Sequence, residues 1–153
     1  MNKLELKVPP PAAALLAALA MWLAAYGLGG LSFTLPERRV VSIVLAASGI
    51  AISVAGTWSF WRARTTVNPT RPDAASSLVA TGVFRFTRNP MYLGLLLVLA
   101  GWAAHLANAA ALAGPLLFAL YVTRFQILPE ERALTIKFGP EFEAYKRRTR
   151  RWI

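Results

Sequence analysis

Four apolar stretches dominate this sequence, and the charges fall almost entirely between them. They run from about Ala12 to Leu31, Val40 to Trp61, Met91 to His105 or Leu106, and Ala109 to Leu128. A bilayer core of roughly 30 Å takes about 20 helical residues to cross, and a helix dropped into lipid satisfies its own backbone. Three of the stretches come close to or exceed that length, and one falls short. The pattern predicts an all-α integral membrane protein of about four transmembrane helices, one domain over residues 1–153, with spans near 12–31, 40–61, 91–106 and 109–128. The 56% hydrophobic content and mean hydropathy of +0.47 agree, since a soluble domain of this size carries less.

Local signals place the ends. Pro9, Pro10 and Pro11 mark the start of the first helix, where a missing amide proton costs nothing. Ala107-Asn108 offers a turn between the third and fourth stretches, because one helix of about 38 residues would overrun the bilayer. The first run is longer than the 7–15 residues of a signal-peptide core, so it reads as a span and not as a cleaved leader. On the second stretch Ala46, Gly49, Ser53 and Gly56 recur at three- and four-residue spacing, a small-residue stripe suited to packing inside the bundle.

The net charge of +10 would suggest nucleic acid in a soluble protein, but its placement is topological. With both termini inside, the Lys and Arg divide as 15 cytoplasmic against 2 external (Arg38 and Arg39), as the positive-inside rule expects. The bilayer is thus the expected partner, with no nucleic acid. With 0 cysteines and 1 histidine, thiolate chemistry and multi-histidine metal sites are excluded, and no metal is expected. His105 reads as interfacial. Trp58, Trp61, Trp102 and Trp152 fall near span ends and fit interfacial anchoring, while the run from Lys146 to Trp152 fits a lipid-headgroup anchor.

The remaining polar residues form two blocks on the cytoplasmic side. The first holds Asn68-Pro69-Thr70-Arg71-Pro72, Leu78-Val79-Ala80-Thr81-Gly82-Val83-Phe84 and Arg88-Asn89-Pro90-Met91-Tyr92-Leu93-Gly94. Its prolines and glycines break any continuous helix and suggest a loop folded back on the membrane face. Pro90 opens the third span, whose free amides and positive dipole end suit a carboxylate. The second block holds Glu130-Glu131 and then Phe138-Gly139-Pro140-Glu141-Phe142-Glu143-Ala144-Tyr145. Adjacent carboxylates at a membrane boundary need cationic or hydrogen-bonding partners, either Arg124, Arg132 and Arg88 or a ligand.

Taken in order, these motifs resemble the isoprenylcysteine carboxyl methyltransferase and phospholipid methyltransferase superfamily. The likeness covers about residues 62 to 152. It implies a helical bundle whose cytoplasmic loop and C-terminal helical tail, residues 62–94 and 124–152, close over S-adenosylmethionine, which leaves as S-adenosylhomocysteine. By the same likeness Ser77, Leu78 and Val79 line an adenosine pocket, Phe84 packs on it, and Asn89, Pro90, Met91 and Tyr92 wrap the cofactor. Glu130 and Glu131 meet its cationic or hydroxyl-bearing parts, and Arg124 orients an anionic acceptor. Glu131 is the candidate base should the acceptor be an amine. The isoprenylcysteine enzymes have His at Asn89 and Arg at Gln126, so the acceptor stays open: a prenylcysteine-type carboxylate, an amine or a thiol. The shortness of the chain favours a bacterial inner membrane. The competing readings are a sterol-reductase-like enzyme using NADPH and a non-catalytic membrane scaffold or subunit.

Overall fold

The computed structural model describes residues 5–64 and 77–153, and the described chain is helical. The Asn68–Pro72 segment lies outside the described residues. Helix α1 spans Pro10–Gly27, α2 Arg38–Arg62, α3 Pro90–Leu106, α4 Ala113–Val122, α5 Leu128–Phe138 and α6 Pro140–Arg148. A five-residue π-helical turn, Thr123–Ile127, joins α4 to α5, so the helix expected to end near Leu128 continues to Phe138. Pro10–Gly27, Arg38–Arg62 and Ala110–Phe138 are long and apolar enough to cross a membrane, and Pro90–Leu106 is a shorter apolar helix. Leu15, Leu19, Ile50, Val54, Leu116 and Leu120 are exposed along these helices, as lipid-facing side chains are. This is an all-α membrane protein.

Helix α3 is the centre of the bundle, and α1, α2 and α4 all pack on it. Against α2 the approach is backbone to backbone. A Cβ added to Gly94 would collide with Ser53 Oγ and the Gly49 carbonyl, and one added to Gly101 would lie 2.8 Å from the Ser42 carbonyl. The small-residue stripe of α2 is therefore spent on α3, where without a hydrophobic driving force close packing must supply the attraction. Helices α1 and α2 flank the opposite sides of an apolar groove of about 590 Å³ floored by Leu95, Val98 and Trp102 of α3. Trp102 Nε1 donates to the Ala18 carbonyl at 3.1 Å and ties α1 to that floor.

The turn at Ala107-Asn108 closes the end of the bundle opposite the α3 N-terminus. Ala107 takes φ +47°, and the fully buried Asn108 donates through Nδ2 to the Leu28 carbonyl at 2.9 Å while its Oδ1 accepts the Ala110 N–H at 3.0 Å. Amides unpaired where one helix stops and the next begins are thereby satisfied inside protein. At the other end Gly139, with φ +48°, breaks α5 from α6 and folds the tail back.

Gly94→Ala is expected to lower stability by about 1–3 kcal/mol through overpacking. Gly27→Ala, whose added Cβ meets nothing within 4 Å, is expected to leave it unchanged. Thermal unfolding of the two variants in detergent checks the difference.

Candidate functional site

The N-terminus of α3 is where the two polar blocks meet. Pro90 starts the helix, and the three residues before it are stitched to the C-terminal tail. The Arg88 N–H donates to the Arg150 carbonyl at 3.0 Å. Thr87 Oγ1 and Asn89 Nδ2 both donate to the Arg151 carbonyl, at 3.3 and 2.9 Å. Arg88 Nη1 reaches the carbonyls of Lys146 and Thr149 at 3.1 and 2.9 Å, and its Nη2 donates to Glu131 Oε1 at 2.8 Å. Arg151 closes the group with two bonds to Glu131, Nε to Oε1 at 3.1 Å and Nη2 to Oε2 at 2.8 Å. That bidentate contact holds the Arg151 guanidinium charged beyond its ordinary range. One turn into α3, the Tyr92 hydroxyl donates to Glu130 Oε2 at 3.1 Å.

An aromatic cluster lies beside this polar group. Val79, Phe84, Phe142 and Tyr145 are buried together, with Leu78 and Phe60 packed on them. Phe60 meets Phe84 edge to face at 5.2 Å. Gly82, at φ +62°, turns the chain so that Phe84 points inward. Tyr145 donates to the Phe84 carbonyl at 2.7 Å, and burial pushes its hydroxyl above the usual tyrosine range. Helix α6 thus shows Phe142 and Tyr145 to the loop and leaves its charges outside.

A third group involves the N-terminal segment. Pro129 has no N–H to give the Phe125 carbonyl four residues back, and the helix relaxes into the π turn, with Leu128 N–H reaching Thr123 O. The Leu6 N–H takes the freed Phe125 carbonyl at 3.0 Å. The fully buried Gln126 donates through Nε2 to the Val8 carbonyl at 2.6 Å. The carboxylate of Glu5 spans Arg124 (3.1 Å) and Arg132 (2.7 Å). Burial alone would raise the Glu5 carboxyl, but the bonds and charges of the two arginines take it below the usual glutamate range. Among the described residues two buried polar atoms are left without a partner, Arg88 Nε and Gln126 Oε1.

Of the residues expected from sequence to hold a cofactor, Asn89, Tyr92, Glu130 and Glu131 come together at the α3 N-terminus. Pro90 and Met91 turn instead to α2, where they lie 3.1 Å from a Cβ built on Gly56. Leu78, Val79 and Phe84 join the aromatic cluster, and Ser77 Oγ donates to the Ala63 carbonyl at 3.5 Å. Arg124 is drawn away to Glu5. Glu131 is neutralised by Arg88 and Arg151, so its carboxylate is already spent on ion pairs. The basic tail, expected to anchor headgroups, is part of the site through Arg151 and the carbonyls of Thr149, Arg150 and Arg151. Nothing in the sequence singles out Thr87 and Arg151 at this end of the bundle, or Glu5 as the partner of Arg124 and Arg132. The signal that points to them is indirect: two adjacent carboxylates need counterions, and of the expected Arg124, Arg132 and Arg88 it is Arg88 that reaches Glu131.

The fold and this polar mouth define a polytopic helical membrane protein with a charged site at one end of the bundle, built from the α3 entry, the α4–α5 helix and the tail. A family model for phospholipid methyltransferases matches residues 38–141, and the chain belongs to that family of membrane methyltransferases. It is also 46% identical over 63 residues to an uncharacterized protein of Haemophilus influenzae, a match covering 41% of this chain and 100% of that one. No solved structure matches.

Two outcomes follow from the charges. Glu131→Gln leaves two arginines facing no anion and is expected to cost about 2–3 kcal/mol in thermal unfolding, whereas Glu143→Gln, which removes an i,i+3 surface pair with Lys146, is expected to shift the midpoint little. The depressed Glu5 carboxyl stabilises the fold above its ordinary value of about 4.3 and loses that contribution as pH falls through the lower folded-state value. Stability of the wild type is therefore expected to drop on acidification below about pH 4 more steeply than that of Glu5→Gln, measured by unfolding across pH 3–6.

Proposed function

We propose that this chain transfers a methyl group from S-adenosylmethionine to a lipidic or small acceptor at the cytoplasmic face of a bacterial inner membrane, with both termini on that side. The observation that carries the reading is the pairing of Tyr92 with Glu130 beside the Arg88–Glu131–Arg151 group, at one end of an apolar bundle. All the described Lys and Arg except Arg38 and Arg39 lie toward that end or on the tail that folds onto it, which supports the orientation.

The residues fit the cofactor chemically. The partnerless buried Arg88 Nε is a donor suited to a carboxylate, Glu130 is an acceptor suited to an ammonium or a ribose hydroxyl, and the buried cluster of Phe84, Phe142 and Tyr145 is an apolar backing suited to the neighbourhood of a flat base. Bound there, S-adenosylmethionine supplies an electrophilic methyl group on a sulfonium. The chain's own work is positioning. Arg88 and Arg151 fix Glu131, and Glu131 fixes the tail against the α3 entry, so that the mouth is preorganised and shielded from water. A carboxylate or thiolate acceptor needs no proton removed. An amine acceptor does, and Glu130, held by a phenol and not by a guanidinium, is better placed than Glu131 to accept it.

Calorimetry of S-adenosylmethionine and S-adenosylhomocysteine on the detergent-purified protein tests the reading. Binding that Glu130→Gln weakens by about tenfold, the size of one charge-assisted hydrogen bond, is the expected result, with Phe84→Ala also weakened. A folded, monodisperse sample that binds neither compound would overturn it and turn attention to a scaffold role, with NADPH tested next.

A further inference from the structure

The Arg124 and Arg132 side chains are each about half exposed, 50% and 53%, yet the carboxylate they share is almost wholly covered, with the Glu5 side chain at 4%. The anion is thus supplied from inside by the N-terminal segment, while the two guanidinium groups remain reachable from outside. One Glu5 oxygen goes to each arginine, the arrangement that two non-bridging oxygens of a phosphate would also satisfy. Leu116, Leu117 and Leu120 are exposed on α4, and Arg124 follows one turn later, where the apolar surface of the continuous α4–α5 helix gives way to Glu130, Glu131 and Arg132. Arg124 also lies 5.5 Å over the Phe125 ring, which holds its guanidinium at that boundary. The segment that carries Glu5 is held at a cost: Leu6 sits at φ +59°, a left-handed conformation that a leucine adopts only under constraint.

We propose that Arg124 and Arg132 form a binding site for the phosphate of a bilayer phospholipid, and that Glu5 is an internal anion occupying it until lipid displaces the N-terminal segment. The site is separate from the Glu130–Glu131 mouth and takes a structural lipid, not the methyl acceptor. Displacement has a consequence for the mouth, because the same segment also holds the Phe125 carbonyl and the Gln126 amide, one turn before Glu130. Releasing Glu5 frees the π turn to adjust. A lipid phosphate thereby couples the membrane surface to the helix that carries the acidic pair, through a competition whose two states differ by which anion sits between the arginines.

Binding of dihexanoyl phosphatidylglycerol to the full-length protein in neutral detergent tests this, beside dihexanoylglycerol and inorganic phosphate. If Glu5 fills the site in about nine molecules of ten, Glu5→Gln should bind the phospholipid about tenfold more tightly than the wild type. The Arg124→Gln/Arg132→Gln double variant should bind it no better than dihexanoylglycerol. Equal affinity in wild type, Glu5→Gln and the double variant would overturn the proposal, and inorganic phosphate binding as tightly as the phospholipid would overturn its lipid assignment. A second measurement keeps the Glu5 carboxylate intact. The chain has 0 cysteines, so Lys7→Cys carries a single fluorescent label, whose emission should shift with phosphatidylglycerol and not with dihexanoylglycerol. An unmoved label in a protein that binds the phospholipid would overturn the displacement.

Discussion

The contact of α3 with α2 along Gly49, Ser53, Gly94 and Gly101 is the constraint on which the rest of the structure depends. Lipid offers no reward for burying leucine against leucine, so two apolar helices stay together only where their backbones can come close. Bringing α2 onto α3 fixes Met91 and Pro90 against Gly56 and so fixes the direction in which the loop before Pro90 enters the membrane. Thr87, Arg88 and Asn89 then stand at that end of the bundle and put most of their polar groups on the folded-back tail, with Arg88 also reaching Glu131 of α5. The charged end follows from a packing event along the middle of the apolar helices.

At that end the charges are arranged as two separate compensated units. Glu131 takes Arg88 and Arg151, and Glu5 takes Arg124 and Arg132. Each unit joins segments far apart in sequence, the first the α3 entry to the tail and the second the N-terminus to the α4–α5 helix. Glu130 remains outside both and rests on a phenol. Glu130 is thereby held by a neutral donor, while its neighbour Glu131 is held by two guanidinium groups. Pro129 is the residue that connects the two units: by removing one amide it opens the Phe125 carbonyl to the N-terminus and starts the turn that presents both acids.

What the sequence determined is what local chemistry determines. Apolar length gave the helices and their lipid-facing character, Pro90 the start of α3 and Ala107-Asn108 the turn, each because the constraint acts within a few residues. The order of the motifs also carried the family, and with it the expectation that Asn89, Tyr92, Glu130 and Glu131 meet. What only the tertiary structure decided is which partner each charge takes. Arg124 and Arg132 lie nearest the acidic pair in sequence, yet they serve Glu5, while Glu131 is served by Arg151 from the far side of α6. Pro90 and Met91, contiguous with Asn89 and Tyr92, face another helix altogether. The physical reason is that a coulombic or hydrogen-bond partner is chosen by distance in space after the helices have packed, and the spacing of residues along one strand of sequence holds no record of which loop and which tail fold over the same helix end.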